Sequence, residues 1–567
     1  MRKTRIYRIF ILMCIFLFVF MGLLFRIAYC QLFKGYQLAA EANAMRSRQI
    51  ELKEYKRGEI FDRNFLPLTS IQSVKALYCL PAEIIKNYPS ENKSEAISEI
   101  AAFLASNIRD KDYEEIYGKL YRGLKEKVPF VCIAADLSEE EMRRINSYAP
   151  SGIVVAPLIK RYRDDGFCCH VLGFASMSEN KGLSGIEYVY NDVLTSYPFS
   201  EELVSVLDAR GQAIQGLMFK VKREENKNKA GVVLTIDKRV QQIAEEIADK
   251  KVKKGAVVVM DVNSKEILAL VSRPKYNSYE IGKIKNDNEN SPLINRALAP
   301  YHPGSMFKIL IAAAALEYKT VSAKDKFYCS GEYRFSGGKS ISCWKKEGHK
   351  LISFADAFAN SCNSAFIEVA LQLGRDKIIN FAQQVHLPEE RIIGYKTEDN
   401  SYIKIDWADM AVANAALGQQ GVMLSPVQIA SLISTIADDG YFAPPVLVKY
   451  WIDKKGIKHL VYSEGKKRVM KEETAKEIRH MMRLVVTKGT GKNAEPITIK
   501  AAGKTATSQT GRYKNYGEEI VNTWFGGFFP LHNPRFAIVV LVEEGESGAV
   551  SAAPVFKEIA EAMLKFF

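Results

Sequence analysis

The stretch that decides the fold is Tyr301-His302-Pro303-Gly304-Ser305-Met306-Phe307-Lys308, continued by Ile309-Leu310-Ile311-Ala312-Ala313-Ala314-Ala315-Leu316. Pro303 and Gly304 are turn residues, and the apolar run from Met306 to Leu316 predicts a buried helix. Ser305 then stands at the helix start with Lys308 three residues on, a spacing that puts both side chains on one helix face. A serine hydroxyl is a poor nucleophile until a neighbouring base takes its proton. A buried lysine can have its pKa lowered far enough to act as that base. The helix N-terminus also favours negative charge that develops beside it.

S-x-x-K by itself is common. Ser90 to Lys93, Ser178 to Lys181, Ser336 to Lys339, Ser342 to Lys345 and Ser463 to Lys466 fit it too, and a solvated serine and lysine account for each. Ser305 is set apart by the turn before it, the apolar helix after it and two signals downstream. The first is Ser361-Cys362-Asn363, behind the helix-like Phe354-Ala355-Asp356-Ala357-Phe358-Ala359. The second is Lys504-Thr505-Ala506-Thr507; Ile497 to Ala502 leads in, and Gly503 to Thr507 reads as a strand edging a cleft. Taken alone, Ser361 and Asn363 also suit a polar loop or helix cap.

The order S-x-x-K, S-x-N, K-T-x-T resembles that of penicillin-binding proteins and serine β-lactamases. The whole chain resembles a class B penicillin-binding protein, a monofunctional peptidoglycan D,D-transpeptidase. That resemblance implies that Ser305 is the nucleophile and Lys308 its base. It implies that Ser361 relays protons and that Asn363 orients Lys308 and meets the substrate amide. Lys504, Thr505 and Thr507 would hold the substrate's terminal carboxylate, and the backbone N–H groups of Ser305 and Thr507 would form the oxyanion hole. A strand edge suits this work, because its free N–H groups can pair with an extended peptide. The family has Gly where this chain has Ala506, and the added methyl is expected to narrow the cleft.

The implied fold is α/β: a penicillin-binding, serine β-lactamase-like domain with an antiparallel sheet and helices on both sides. An elongated α+β pedestal and one transmembrane helix would precede it. Gly255 to Asp261, the stretch through Arg273-Pro274, Trp524 to Pro530 and Phe536 to Val542 read as strands of that sheet, with Lys557 to Phe567 as the closing helix. Upstream, Arg57-Gly58-Glu59-Ile60-Phe61-Asp62-Arg63-Asn64, His170 to Phe174, Gly185-Ile186-Glu187 and Leu207 to Gly211 resemble pedestal signatures of class B proteins, except that Phe65 stands where Gly is common. The resemblance makes their charges structural ion pairs; the plainer reading is surface solvation. The expected division is 1–8 cytoplasmic tail, 9–29 transmembrane anchor, 34–230 pedestal and 231–567 transpeptidase domain, with Lys222 to Ala230 as linker.

The remaining observations agree. The chain has 567 residues, too many for one core, and 47% hydrophobic content supports folded cores. Ile9 to Phe25 is almost wholly apolar behind Arg2, Lys3, Arg5 and Arg8. This predicts an uncleaved single-pass anchor in a bacterial membrane, with the N-terminus cytoplasmic and the bulk of the chain outside. The net charge of +14 is scattered along the chain, which fits a surface beside anionic lipid and wall polymer and gives no nucleic-acid partner. Cys329 and Cys343 flank a hairpin-like segment with His349 behind. A disulfide, a zinc site completed by a carboxylate such as Asp325, and free thiols are all open, so no metal is assigned.

The implied reaction joins peptidoglycan stem peptides through a Ser305 acyl-enzyme, needs no cofactor and is blocked by β-lactams. The implied partner is a membrane glycan polymerase. A β-lactam sensor or β-lactamase, and a non-catalytic scaffold of wall synthesis, are the other readings.

Overall fold

A computed structural model describes residues 2–32, 34–35, 47–70, 72–85, 93–128, 130–148, 152–176, 179–196, 199–206, 219–223, 229–389, 391–397, 400–461, 464–514 and 516–566. Leu207 to Gly211 and positions 224–228 of the expected linker lie outside the described residues. The chain forms two compact units. One comprises residues 1–55, 73–159 and 199–225; the other comprises 56–72, 160–198 and 226–567.

The first unit begins with the helix Arg2–Leu32, within which an 18-residue window of Arg8–Leu32 has a mean hydropathy of 2.7. By length and composition this span is able to cross a bilayer. Further on, strands Val131–Ala135, Gln72–Cys79 and Ile153–Lys160 form a sheet in that order. Helices Lys93–Asn107, Tyr113–Lys125 and Glu139–Tyr148 cover a core that includes Leu77, Ile97, Leu104, Ile116, Leu120 and Ile145. Tyr113–Lys125 shows how the sequence specifies this. Asp112 caps it by accepting the Glu115 N–H, and Ile116, Leu120 and Gly123 recur on the buried face.

In the second unit the chain runs through α1 (Lys238–Lys251), β1 (Gly255–Asp261), β2 (Ile267–Arg273), α2 (Phe307–Glu317), α3 (Asn363–Leu373), α4 (Pro426–Ala437), α5 (Glu472–Thr487), β3 (Ala502–Tyr513), β4 (Glu519–Phe529), β5 (Phe536–Val542) and α6 (Ala553–Met563). The five strands form an antiparallel sheet in the order β2-β1-β5-β4-β3. Alternate residues of β1 serve opposite faces. Val257 and Val259 join Val240 and Ala244 of α1 and Phe556 and Ile559 of α6. Ala256, Val258 and Met260 join Ile429 and Ile433 of α4, Ile478 and Met481 of α5, and most of α2. Helices on both faces explain why β5, Phe-Ala-Ile-Val-Val-Leu-Val, is apolar throughout instead of alternating. The closing helix begins at Ala553, four residues before the expected Lys557, because a wide turn over Gly548–Ala552 already leads into it.

The Arg57 segment also belongs to this unit, and strand Glu59–Phe61 pairs in parallel with Gly231–Leu234. Glu187 is fully buried and accepts from Arg57 at 2.7 Å and Arg161 at 2.5 Å. The Tyr162 hydroxyl donates to the same carboxylate at 3.0 Å. Arg161 also donates to the carbonyls of Arg57 and Gly58. These charges lie inside the protein, not on its surface.

Candidate active site

Ser305 lies in a single tight turn, Gly304–Met306, that runs directly into α2. Gly304 adopts φ +54°, and a Cβ there would come within 3.0 Å of the Thr507 carbonyl oxygen. On its other side, a Cβ on Gly418 would stand 2.0 Å from the Gly304 oxygen. Both positions need glycine for close approach. Together they seat the Ser305 turn against β3, which is the end strand of the sheet.

Lys308, the second residue of α2, is fully buried. Its Nζ donates to the Ser361 carbonyl at 2.9 Å, the Ser361 hydroxyl at 3.3 Å and Asn363 Oδ1 at 2.7 Å. The Ser361 hydroxyl in turn donates to Ser305 Oγ at 2.9 Å. Among the described residues the recorded link from Lys308 to Ser305 therefore runs through Ser361. Helical spacing alone suggested a direct contact; Ser361 intervenes because its residue has φ +53°, which turns both its carbonyl and its hydroxyl towards the lysine. A left-handed serine is uncommon and marks an over-determined site. Burial lowers the Lys308 pKa to about 8, against a smaller upward pull from Cys362 and Cys343.

Lys504 on β3 is buried as deeply, and its Nζ donates to the Thr505 carbonyl at 3.0 Å. Burial first, and the charge of Lys308 second, hold its pKa well below the ordinary lysine value. The two lysines lie over neighbouring phenyl rings, Lys308 at 5.3 Å from Phe366 and Lys504 at 5.8 Å from Phe358. No carboxylate is recorded as a partner of either among the described residues. Thr505 shares a 2.5 Å hydrogen bond with Thr490, and the hydroxyl of exposed Thr507 accepts from the Gly548 N–H at 3.4 Å. Ala506 is only 3% exposed and belongs to the main apolar cluster, so its methyl is part of the core.

The structure thus gathers Ser305, Lys308, Ser361 and Asn363 into one bonded set, with Lys504 electrostatically coupled to it. Sequence reasoning missed Thr490, for which the turn Lys488-Gly489-Thr490-Gly491 ahead of the strand was the available signal. It also missed Trp344, 58% exposed beside the site, whose Nε1 donates to the Asn360 carbonyl at 2.9 Å.

All nine cysteines are free thiols. Cys343 receives the Asn363 N–H at 3.4 Å and lies 3.6 Å from His349 Nδ1. The hydrogen bond from the Cys362 thiol, ahead of that from the Asn363 N–H, holds the Cys343 thiol well below its ordinary pKa. Asp325, the carboxylate expected beside these groups, instead accepts from the N–H and hydroxyl of Ser322. The fourth member of the cluster is Cys362.

Comparison with known proteins gives the same picture. Residues 255–561 match the penicillin binding protein transpeptidase domain, and residues 53–213 match the penicillin-binding protein dimerisation domain. The chain is 30% identical to stage V sporulation protein D of Bacillus subtilis over 562 residues, covering 94% of this chain and 82% of that protein. It is 26% identical to the peptidoglycan D,D-transpeptidase FtsI of Buchnera aphidicola over 577 residues, covering 98% and 94%. A crystal structure of the D,D-transpeptidase domain of a peptidoglycan glycosyltransferase from Eggerthella lenta has the same fold. Its TM-score is 0.62 at 22% identity, over 90% of this chain and 99% of that one.

Proposed function

Because the chain belongs to the class B penicillin-binding proteins, we propose that its transpeptidase chemistry runs through Ser305, Lys308, Ser361, Asn363, Lys504, Thr505 and Thr507. The protein is a serine-type peptidoglycan D,D-transpeptidase of wall synthesis, and β-lactams are its inhibitors. The observation that carries the assignment of residues is the chain of bonds from Lys308 through Ser361 to Ser305.

With Lys308 neutral, the hydroxyl protons turn round: Ser305 donates to Ser361, and Ser361 donates to Lys308. Ser305 Oγ attacks the penultimate D-alanine carbonyl of a stem peptide as its proton moves along this relay. Backbone N–H groups of Ser305 and Thr507 receive the oxyanion. The tetrahedral adduct collapses, and the departing amine of the terminal D-alanine takes a proton back through Ser361. An amine of a neighbouring stem then attacks the ester, forms the cross-link and restores the serine. Lys504, Thr505 and Thr507 hold the terminal carboxylate, and the arriving anion supplies the countercharge that Lys504 lacks.

The division into a 1–8 tail, a 9–29 anchor, a 34–230 pedestal and a 231–567 transpeptidase domain is part of this proposal, supported by the two family matches. So is an extracytoplasmic catalytic domain, supported by the basic residues ahead of the apolar span, and so is a membrane glycan polymerase as partner, which rests on membership of the family.

The test is intact-mass analysis of the full chain in detergent after incubation with a penicillin, beside Ser305→Ala. A persistent adduct present in the wild type and lost in Ser305→Ala is expected. Rapid release of the drug would make the protein a β-lactamase, and no adduct on folded protein would make it a scaffold.

A further inference from the structure

We propose that Tyr301 and Glu543 are positioning residues of the transpeptidase reaction, whose hydrogen bond sets the distance between the two backbone N–H groups of the oxyanion hole. Their role rests on the Ser305 assignment. The two N–H groups, on Ser305 and Thr507, belong to different elements, one to the turn ahead of α2 and one to β3. A hole built from two elements works only while their separation is held, because a misplacement of about 1 Å can cost about 10²-fold in rate.

At β3 the separation is set by the close approach of Gly304 to the Thr507 carbonyl. On the far side it is set by Tyr301, four residues ahead of Ser305. The Tyr301 hydroxyl donates at 2.6 Å to Oε1 of Glu543, the residue that follows β5. Among the described residues this is the one side-chain hydrogen bond recorded from residues 301–306 to the five-stranded sheet. His302 and Ser305 pair instead with the Val422 carbonyl and the Ser361 hydroxyl. The Tyr301 ring also stands edge-on to Trp524, 6.1 Å away at 79°. Trp524 pairs with Ala506 on one side and Leu541 on the other. The path from the turn to β5, through β4 to β3 and back to the turn is therefore closed.

Glu543 is suited to be the anchor, because other contacts fix it before Tyr301 reaches it. The same Oε1 accepts from Arg296 Nε at 2.8 Å, and the Glu543 N–H donates to the Lys254 carbonyl at 2.9 Å. Arg296 is 4% exposed, and its remaining nitrogens donate to the carbonyls of Asn290 and Ser291. Its backbone N–H donates to Ser272 Oγ on β2 at 3.0 Å. Burial first, and the charge of Glu543 second, hold the Tyr301 hydroxyl well above its ordinary pKa, so it stays a donor at neutral pH.

This arrangement separates stability from rate. In Tyr301→Phe the ring keeps its place against Trp524 and Arg296 still satisfies the carboxylate, so only the tether of the turn is lost. In Glu543→Gln the amide oxygen still accepts from Tyr301, but the buried Arg296 guanidinium loses its countercharge. The experiment measures penicillin acylation of the full chain in detergent, resolved into a binding constant and an acylation rate constant, beside urea unfolding. A boronic acid reports on the oxyanion hole directly. Ser305 Oγ adds to the trigonal boron, its proton passes to the relay, and the product is a tetrahedral anion that imitates the reaction intermediate.

Tyr301→Phe should lower the acylation rate constant and the boronate affinity about ten-fold each, with the penicillin binding constant and the urea midpoint close to wild type. Glu543→Gln should lower the urea midpoint and keep most of the rate. If Tyr301→Phe fails to fold, Glu543→Ala decides in its place: a slower acylation step with unchanged penicillin binding is expected, and an unchanged step would overturn the tether. Acylation by folded Tyr301→Phe at the wild-type rate would sink the role and leave the Ser305 assignment standing. So would rate losses that track the stability losses in both variants. A wild type that forms no penicillin adduct would instead sink the assignment, and the tether with it.

Discussion

Around Glu187, two guanidiniums and a phenol converge on one buried carboxylate. Around Lys308 and Lys504, two equally buried amines meet hydroxyls, carbonyls, an amide and phenyl rings. Burial is alike in the two places; the countercharge differs. Burial alone would lower the Arg161 pKa, but Glu187 carries it above its ordinary value, and the group stays charged at any accessible pH. Lys308, with no such partner, falls to about 8 and can give up its proton. A compensated buried cation is a fixed strut, and an uncompensated one is a reagent.

The comparison predicts a ranking of effects. Ser305→Ala removes the proposed nucleophile, so penicillin acylation should drop by about 10⁴-fold or more, measured by adduct mass. Lys308→Arg keeps the charge but cannot deprotonate, and acylation should fall by about 10²- to 10⁴-fold with the fold retained. If Lys308→Arg acylates normally, the uncompensated amine is not the base. The same contrast fixes a pH dependence. As the proposed base, Lys308 acts in its neutral form, present above its pKa. The acylation rate should thus lose about ten-fold per unit as pH falls below about 8, and level off above it. A rate independent of pH from 6 to 9 would break the argument.

At the other pole, Glu187→Gln leaves two buried guanidiniums without their anion. It should cost about 3–5 kcal/mol of stability by urea unfolding, while the folded fraction still acylates. If that variant loses acylation without losing stability, the strut has a chemical role after all. Smallest of all is Ala506→Gly. Its methyl lies in the core, so about 1 kcal/mol of stability should be lost and acylation should not change. A large gain in acylation would show instead that the methyl obstructs the cleft.

What the sequence revealed and what it hid divide along the same line. The helix after Ser305 was legible because Pro303, Gly304 and the apolar run are local signals. The strand at Lys504 was legible because Gly503 to Thr507 meets its neighbours in regular register. The partners of buried charge were not. Glu187 finds Arg57 across 130 positions, and Lys308 finds Ser361 across 53. No pattern of spacing encodes the left-handed φ of Ser361, which interposes its hydroxyl between Lys308 and Ser305. The cysteine cluster illustrates the same limit: Asp325 was nearer in sequence to Cys329, but the chain folds Cys362 into that place.

The end position of β3 has one more consequence, for solubility. A strand with an unpaired edge can be joined by any extended chain, including another copy of the same protein. Here the strand continues past Thr507 into Gln509, Arg512 and Tyr513, all exposed, and its register is broken between Gln509 and Tyr513. Irregular pairing and a cationic side chain there make a poor template for aggregation. The edge is regular along the residues proposed to hold the substrate and spoiled before a long strand could take hold.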